Sequence, residues 1–500
     1  MKSLIQFLWP IERKELKKFL PMALISLFTI FNYNALRSVK ETLVVPLMGA
    51  EAVTFIKVYF VTPSAILLFL LYAKLSNRFS FKAIYYQVAW FYVIFFLLFG
   101  FVLLPNESII HPSPDAIKSF NSKEINLYLF SLDLSHFKWF FIIYQKWMFG
   151  VFYVLAEFWN STMTLLLFYQ LANKITITDE AKRFYPMFAL VGSLGNFIAG
   201  TSIKILHGLS VSKGSLFMIQ SIMVMTVIAS IAIMILYNYI NKKVLTDLDI
   251  KIPHPKNEFS SKKKIPLKDS FKIIFSSKYL GMVVVLVISY GIAINLLEGP
   301  WKAEVRKIYP NKSDYLYFMA TLNQANGLVS MVFMLVGATI LKKYSWFTAA
   351  IMTPLMIFIT GIAFFSFVVF GDYISLYLGA FLMVNPAMIA VILGTTQNVL
   401  SKSTKYALFD PTKEMTYIPI DEELKSKGKA AVDVVGARFA KSFGAFVQSS
   451  IFILFPTATY SSISWFLMII FVIVAIVWII DVKTLNKEYL YYLNQNREKV

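Results

Sequence analysis

The stretch GVFYVLAEFWNSTMTLLLFY, from Gly150 to Tyr169, has the composition of a membrane-spanning helix but carries one carboxylate, Glu157, near its middle. A helix of about 20 residues is as long as the hydrocarbon core of a bilayer is thick. A charged side chain at that depth costs about 2.5–3.5 kcal/mol on insertion scales, so we expect Glu157 to face the protein interior and to have a partner. The stretch therefore predicts a helical membrane protein with a polar interior.

The composition of the whole chain supports a membrane protein. Of its 500 residues, 58% are hydrophobic and only 15% are charged, which lies outside the range of soluble domains. Cysteine is absent and the four histidines show no metal-binding spacing, so we expect no disulfide, no metal and no cofactor. Residues 1–15 lack the apolar core of a removable signal peptide and are predicted to form a cytoplasmic arm.

Apolar windows predict an all-α polytopic fold with twelve transmembrane helices. Each window can cross about 30 Å of hydrocarbon, and they lie near residues 19–36, 56–75, 83–104, 138–172, 184–206, 216–240, 279–298, 315–341, 345–370, 373–398, 431–456 and 461–481. Six precede and six follow a polar, proline-broken segment, which is the natural connection between two bundles. We therefore predict an N-terminal bundle with its arm in residues 1–240, a basic cytoplasmic linker in 241–278 and a C-terminal bundle with a cytoplasmic tail in 279–500.

Basic residues set the predicted orientation. Lys and Arg are retained on the cytoplasmic side of a membrane, and with the N terminus inside, most of the 48 basic residues fall in inner segments. Both termini are therefore expected in the cytoplasm. Topology explains most of the net charge of +20, so no nucleic-acid partner is expected. Six helices on either side of a cytoplasmic loop are typical of secondary transporters, whose substrate sites lie near the midplane between the halves.

Two of the predicted helices have a polar face that carries a glutamate. In the fourth, steps of four and three residues place on one face the residues Lys146, Gly150, Tyr153, Glu157, Asn160 and Thr164. In the seventh, the corresponding face holds Gly291, Asn295, Glu298 and Lys302. Pro300 lacks a backbone donor, so a break in the seventh helix is expected near Glu298. Both faces are predicted to line a water-filled interior.

Positive charges occur at two further places within apolar sequence. Arg37 and Lys40 lie one helical turn apart at the end of the first predicted span. Arg438 and Lys441 have the same spacing in the eleventh. Fixed cations offset part of the desolvation cost of a carboxylate or a phosphate. An interior that combines these cations with two carboxylates therefore favours a phosphate-rich or carboxylate-rich anion as cargo.

Each of these residues also has a purely structural interpretation. An intramembrane glutamate can serve only to neutralise a nearby lysine, and Lys146 could hold Glu157 in that way or lie at the outer mouth. Arg37 could extend to the lipid headgroups. A solvated rim that attracts anions is expected from Lys302, Arg306 and Lys307.

Several segments resemble the nucleotide transporters of obligate intracellular bacteria and plastids, the ATP/ADP translocases of rickettsial and chlamydial type. They are FNYNALRSVKETLVV, LAEFWNSTMTLLLFYQLAN, EAKRFYPMF, NLLEGPWKAEVRKIYP, LSKSTKYALFDPTKEMTYIPIDEELKSKGKAAVDVVGARFAKSFGAFVQS and LNKEY. The resemblance extends from about Trp9 to Tyr489. It implies a fold similar to the major facilitator type and a place in the bacterial inner membrane. It also implies exchange of host nucleoside triphosphate for bacterial diphosphate by alternating access.

In that family four charged membrane residues are important for transport, and the resemblance assigns this role to Lys40, Glu157, Glu298 and Lys441. The sequence departs from the family pattern in having AKSFGA where GKSGGA is common, and in having Pro300. We hypothesise that the two lysines bind the phosphate chain from opposite halves, while the two glutamates hold those lysines in the empty state. The remaining predicted substrate-site residues are Arg37, Arg438, Lys146, Asn160 and Asn295. The base is expected to stack on an aromatic side chain, for which Tyr153 is a candidate.

Other classes of function stay open at this point. The interior could carry GTP, CTP, UTP or another organic anion, by exchange or with proton coupling through Glu157 or Glu298. A channel would conduct without saturation. A membrane-embedded enzyme would need a nucleophile, metal ligands or an acid–base pair within reach, so the protein is not expected to be an enzyme. The sequence makes no prediction about oligomeric state.

Overall fold

The computed structural model describes residues 9–113, 115, 124–127, 130–210, 212–247, 277–382, 385–420, 432 and 437–498. Most of this chain is helical. The long helical segments are α1 (Leu16–Met48), α2 (Ala50–Arg78), α3 (Phe81–Leu103), α4 (Trp147–Ile175), α5 (Thr178–Ser210), α6 (Gly214–Val244), α7 (Lys278–Ile308), α8 (Lys312–Lys343), α9 (Trp346–Leu382), α10 (Pro386–Thr404), α11 (Ala437–Leu454) and α12 (Tyr460–Glu498).

These helices have the length and the surface of membrane spans. Among the described residues, ten segments, all except α10 and α11, are long and apolar enough to cross a bilayer. Their outer faces expose large apolar side chains, such as Leu67 of α2, Ile235 of α6 and Ile359 of α9. A soluble protein rarely exposes contiguous apolar surface of this kind. The predicted all-α membrane fold is therefore confirmed, while the number of twelve spans stays a prediction.

Helix α1 is longer than the window 19–36 that predicted it. It continues to Met48, although polar residues begin within the run NYNALRSVKE. Arg37 and Lys40 lie within the helix and are buried. The polar run stays helical because neighbouring helices, rather than lipid, surround it and supply ion-pair partners for Lys40 and Glu41.

Helix α7 shows a second difference from the prediction. The expected break near Glu298 is wrong, because α7 continues without interruption through Pro300 to Ile308. Proline is tolerated inside transmembrane helices because neighbouring helices and polar side chains satisfy the backbone group that proline frees. The polar face of α7 is therefore continuous from Gly291 to Lys302.

The predicted fourth span, 138–172, consists of two helices. A short helix, Lys138–Gln145, is followed by α4, which begins at Trp147. Lys146 separates them with backbone angles φ −120° and ψ 37°, which lie outside the right-handed helical region. The polar face that was expected to run continuously from Lys146 to Glu157 is therefore interrupted at its first residue.

The boundary between α9 and α10 lies further along the chain than the windows 345–370 and 373–398 predicted. Helix α9 continues to Leu382 and α10 begins at Pro386. The Asn385 side chain accepts a hydrogen bond of 2.9 Å from the backbone N–H of Ala387, and Pro386 occupies the first turn. Asparagine before a helix and proline in its first turn are strong start signals, so the break falls there.

The connections outside the long helices add two observations. Helix α6 extends to Val244, beyond the predicted end at residue 240, and residues 248–276 of the predicted linker lie outside the described part of the chain. The division into two six-helix bundles and a linker therefore stays a prediction. Between α3 and α4 the strands β1 (Glu124–Leu127) and β2 (Phe130–Asp133) form an antiparallel pair, which the sequence did not predict.

Helices α5 and α8 approach each other closely and join the first six helices to the last six. Gly200 of α5 lies against the backbone carbonyl of Ala320 in α8. Gly327 of α8 lies against α5, where an added Cβ atom would be 2.8 Å from the backbone nitrogen of Phe197. Small residues permit such close approach of membrane helices. The two sets of helices are therefore packed backbone to backbone along α5 and α8.

Candidate functional site

A buried ion pair joins α1 to α4 in the interior. Lys40 of α1 is 3% exposed, and its Nζ pairs with Glu157 of α4, whose side chain is about one-third exposed. The Lys40 ammonium also lies 4.2 Å from the ring centroid of Tyr153, on the same face of α4. A cation over an aromatic face is stabilised electrostatically. The structure thus brings together two of the four charges to which the sequence resemblance assigned a role in transport.

A second set of charges, which we call the ion chain, consists of Glu41, Lys302, Glu298 and Lys57. Glu41 pairs with Lys302 at 2.8 Å, Lys302 with Glu298 at 3.0 Å, and Glu298 with Lys57 at 2.7 Å. Glu41 and Lys302 are each 1% exposed. Glu41 and Lys57 belong to α1 and α2, whereas Glu298 and Lys302 belong to α7, so the chain links the first six helices to the last six.

The ion chain is connected to the Lys40–Glu157 pair through Tyr153. The Tyr153 hydroxyl donates a hydrogen bond of 3.2 Å to Glu41 Oε1, and its ring lies beneath Lys40. Tyr153 is fully buried. In this conformation it has no free ring face for a base, so it acts as a link between the two sets of charges.

Beyond the ion chain, α2 and the end of α11 are held to the start of α12. The backbone N–H of Tyr460 donates a hydrogen bond of 3.1 Å to Glu51. The Tyr460 hydroxyl donates to Gln448 at 2.8 Å and lies 2.6 Å from the Thr54 hydroxyl. The cavity left between these helices and α7 has a volume of about 10 Å³, which is room for one water molecule. Between the described residues that line it, this cavity has no room for an organic ligand.

Two further cations lie in the interior without a partner. Arg37 of α1 is 9% exposed and makes no hydrogen bond or ion pair with the described residues. The Nζ atom of Lys402, near the end of α10, is buried and also has no partner among them. Of the charged groups around Lys402, Arg37 acts on it most strongly. The structure therefore places Arg37 and Lys402 in the same part of the interior, within electrostatic range of Glu298 and Glu41.

Stretches of π-helix occur where these side chains project. One stretch, Ile56–Val61, contains Lys57, and another, Asn160–Phe168, begins one turn after Glu157. A third, Lys405–Phe409, directly follows the helix that carries Lys402. A π-helical turn shifts the direction of the side chains beyond it, and such turns are frequent at functional sites. They mark the same region of the interior as the charges.

The structural interpretation of two cations is wrong. Lys302, expected in a solvated rim, is 1% exposed and belongs to the ion chain, whereas Lys307 of the same segment is exposed. The difference arises because Lys302 lies on the face of α7 that packs on α1. Arg37, which could have extended to lipid headgroups, is buried among α1's neighbours, because α1 continues well beyond it.

The predicted site residues Lys146, Asn295 and Asn160 lie in different parts of the structure. Lys146 lies at the break before α4 and near His111. Burial lowers the pKa of the His111 imidazole, and the positive charge of Lys146 lowers it further. Asn295 donates to the backbone of its own helix at 2.8 Å, and its backbone carbonyl accepts a hydrogen bond of 3.1 Å from Gln448. Asn160 begins a π-helical stretch and is half-buried.

The side chains of Arg438 and Lys441 lie outside the described part of the structure. Their backbone belongs to α11, and Ser442 of that helix lies 3.3 Å from the Thr62 hydroxyl of α2. The hypothesis that Glu157 and Glu298 hold Lys40 and Lys441 in the empty state therefore stays a prediction where Lys441 is concerned. The partners that the structure gives to Glu298 are Lys57 and Lys302.

Sequence reasoning missed three members of the interior, namely Glu41, Lys57 and Lys402. Each of the first two lies at the edge of an apolar window, where a charge is ordinarily assigned to the water interface. Lys402 lies in LSKSTKYALF, beyond the predicted end of its window. In the described part of the chain, no group of His, Asp and Glu side chains is arranged to hold a metal ion.

The fold of the chain has counterparts among solved structures of membrane transporters. Among solved structures, the chain is similar to a bacterial homologue of the iron transporter ferroportin in an inward-facing state, with a TM-score of 0.59 and 13% identity over 94% of this chain and 100% of that chain. It is also similar to a D-xylose–proton symporter, with a TM-score of 0.53 and 13% identity over 93% and 97% of the two chains. These likenesses show the fold, which is similar to the major facilitator type.

The family follows from the sequence as a whole. Residues 1–489 match the family described as TLC ATP/ADP transporter, and the chain belongs to this family. It is 44% identical to ADP,ATP carrier protein 1 of Rickettsia bellii, over 100% of this chain and 98% of that protein. It is 42% identical to ADP,ATP carrier protein 3 of the same organism, over 97% of each. These findings confirm the predicted resemblance and place the chain among transporters rather than enzymes.

Proposed function

We propose that the protein exchanges ATP for ADP across a membrane by alternating access. Membership in the ATP/ADP transporter family and the names of its Rickettsia relatives support this cargo. The observation that carries the proposal is the Lys40–Glu157 pair, buried between α1 and α4 and next to Arg37 on α1. A transporter of a polyanion needs fixed cations that its cargo can neutralise.

If the protein has the orientation that its basic residues predict, the closed end of the interior faces the outside of the cell. With the N terminus in the cytoplasm, the end of α1, the start of α2 and the end of α7 lie on the outer side. These are the segments joined by the ion chain and by Tyr460. We therefore propose that this conformation is closed to the outside. We also propose that the protein lies in the inner membrane of a bacterium, with both termini in the cytoplasm.

The cargo is proposed to act by replacing one partner of a buried charge. When phosphate contacts Lys40, it takes the place of Glu157 and the lysine stays neutralised. Opening the outer end then requires separation of Glu41 from Lys302 and of Lys57 from Glu298, because each pair joins α1 or α2 to α7. Leaving one member of a buried ion pair uncompensated costs about 3–5 kcal/mol. An empty carrier would face this barrier, which supports strict exchange.

The predicted role of Lys441 is part of this proposal. Lys441 belongs to α11 and Lys40 to α1, so a nucleotide held by both would connect the two sets of helices. Binding must favour the intermediate between the open forms, because a ligand that stabilises one end state only traps it there.

Uptake into proteoliposomes tests the exchange. Vesicles that contain the purified protein and internal ADP receive labelled ATP outside, and matched vesicles contain no nucleotide. Strong uptake only in the presence of internal ADP supports the proposal, and equal uptake in both contradicts exchange. Unlabelled GTP, CTP and UTP compete in parallel, and stronger inhibition by one of them than by ATP would assign a different base. Uptake driven by a pH gradient alone would favour proton coupling.

Two variants and a control connect transport to the interior. Lys40→Gln and Glu157→Gln are expected to lower the rate of exchange at least tenfold. Lys343→Gln, an exposed lysine at the end of α8, removes the same charge from the surface and is expected to transport normally. If all three variants transport alike, the Lys40–Glu157 pair has no part in the function.

A further inference from the structure

Lys402 carries a buried amino group that takes no part in the ion pairs of the interior. It belongs to α10, one of the last six helices, and its Nζ atom has no hydrogen-bond acceptor among the described residues. An ammonium loses its water shell on burial, and without an acceptor that loss is not offset. Such a group in a membrane protein is a candidate for a ligand site by default.

The charges around Lys402 do not neutralise it. Arg37 acts on it most strongly, followed by Glu298, Lys302 and Glu41. Both carboxylates already form ion pairs. Glu298 pairs with Lys57 and Lys302, and Glu41 pairs with Lys302. Arg37 is likewise without a hydrogen bond or ion pair to the described residues. Two basic side chains from opposite sets of helices therefore lie within electrostatic range of the same carboxylates, Glu298 and Glu41, but neither forms an ion pair with a described residue.

We propose that Arg37 and Lys402 form a two-sided anion site that binds the polyphosphate of the nucleotide. The inference rests on the proposed function and adds to it a cation of α10 that neither the charge pattern nor the family resemblance indicated. A guanidinium binds phosphate oxygens in a planar, bidentate manner, whereas an ammonium acts as a compact point charge. A phosphate chain between them supplies the partner that each of them lacks.

The arrangement distinguishes these cations from Lys40. Lys40 has Glu157 as a partner in the empty state, so phosphate must compete with a carboxylate for it. Arg37 and Lys402 have no directly bonded carboxylate among the described residues, so an incoming phosphate does not have to displace one. The phosphate chain is therefore expected to engage Arg37 and Lys402 first and Lys40 afterwards.

Binding to the purified full-length protein in lipid nanodiscs tests the site. The probes are ATP, inorganic triphosphate and adenosine, and the readouts are the dissociation constant and the thermal midpoint with and without probe. Lys402→Gln is expected to weaken ATP and triphosphate binding at least tenfold, as expected for loss of a charged hydrogen bond, without a change for adenosine. Lys402→Arg keeps the charge and is expected to stay within about threefold of the wild-type protein.

Stability separates a binding lysine from a structural one. Because Lys402 has no partner to lose, the empty Lys402→Gln protein is expected to melt at the wild-type temperature or above it, while the stabilisation by triphosphate shrinks. Lys343→Gln controls for the loss of one positive charge. It is expected to change neither the melting temperature of the empty protein nor the stabilisation by triphosphate. A fall of several degrees in the melting temperature of empty Lys402→Gln, with triphosphate binding retained, would overturn the inference.

Arg37→Gln gives an independent reading of the same site, should Lys402→Gln not fold. It is expected to weaken triphosphate binding by a similar factor, and unchanged binding would contradict the site. The outcomes also separate the inference from the proposed function. Wild-type protein that binds triphosphate through Lys402 but does not exchange ATP for ADP would sustain the site and refute the function. If Lys402→Gln exchanges ATP for ADP with an unchanged KM, the function is sustained and the site is refuted.

Discussion

Lys302 of α7 and Glu41 of α1 form an ion pair of 2.8 Å in which both residues are 1% exposed. The two residues are far apart in the sequence and belong to different sets of helices. A pair buried this completely contributes little net stability over apolar packing, but removal of one partner is strongly destabilising. The pair therefore opposes separation of α1 from α7 and stabilises the conformation in which it forms.

Removal of the Glu41 carboxylate from this pair is expected to favour the conformation that is open at the outer end. In Glu41→Gln, Lys302 loses one of its two carboxylate partners and keeps Glu298, which is expected to destabilise the closed form by about 1–3 kcal/mol. The chain has no cysteine, so Ala50→Cys, which lines the small cavity at this end, can report accessibility to a membrane-impermeant thiol reagent. Its labelling is expected to rise at least tenfold in Glu41→Gln.

The exposed pair Lys278–Glu488 provides a matched control for that experiment. Its separation is also 2.8 Å, but the Lys278 side chain is 74% exposed, and solvent screens a surface pair so that it contributes little to stability. Lys278→Gln is expected to leave the labelling of Ala50→Cys unchanged. Equal labelling in Glu41→Gln and Lys278→Gln would show that Glu41 does not hold the outer end closed.

A double-mutant cycle on Lys40 and Glu157 is expected to show strong coupling. Each single change to Gln removes the ion pair but keeps the other charge, whereas the double change removes both charges. The double variant should therefore melt at a higher temperature than Lys40→Gln alone, with a coupling energy of about 1–3 kcal/mol. The measurement is thermal unfolding of the purified protein.

The same cycle on Lys312 and Glu107 serves as a reference. This pair is 3.6 Å apart and more exposed, so its coupling is expected to be below about 1 kcal/mol. Coupling of equal size in the two cycles would contradict a special role for burial of the Lys40–Glu157 pair.

The close contact of α5 with α8 predicts that Gly200→Ala is destabilising. The new Cβ atom would lie against the carbonyl of Ala320 and 2.8 Å from Cγ of Gln324, and overpacking of this kind costs about 1–3 kcal/mol. Gly208→Ala on the same helix meets nothing within 4 Å and should be neutral or stabilising, since alanine favours a helix by about 1 kcal/mol. Thermal melting of the two variants compares them directly, and similar midpoints would exclude the tight contact.

Tyr406 is expected to contact the base. It is 53% exposed, lies about one turn beyond Lys402, and is within electrostatic range of Tyr33, which lies one turn before Arg37. Base–aromatic stacking contributes about 1–3 kcal/mol. Tyr406→Leu should therefore raise the KM for ATP about tenfold and leave triphosphate binding unchanged. Tyr344→Leu, an exposed tyrosine beyond α8, is the control, and an equal effect on triphosphate would contradict a contact with the base.

Hydropathy predicted the membrane class because it is a local property. Each span needs about 20 apolar residues wherever its neighbours lie, so the windows located the helices although several ends were displaced. The break near Pro300 was predicted wrongly because a proline's effect depends on whether surrounding helices satisfy the freed backbone group. The start of α10 depends on the local signals of Asn385 and Pro386, which the hydropathy windows did not use.

The sequence by itself determined that the chain forms apolar helices, that it belongs to the family matched by residues 1–489, and that charges such as Lys40 and Glu157 lie within them. Only the tertiary structure decided which charges meet. It joined Glu41 to Lys302 and gave Arg37 and Lys402 no ion-pair partner among the residues that it describes. The physical reason is that an ion pair acts over a few ångströms, and helix packing, rather than spacing along the chain, sets which distant residues come that close.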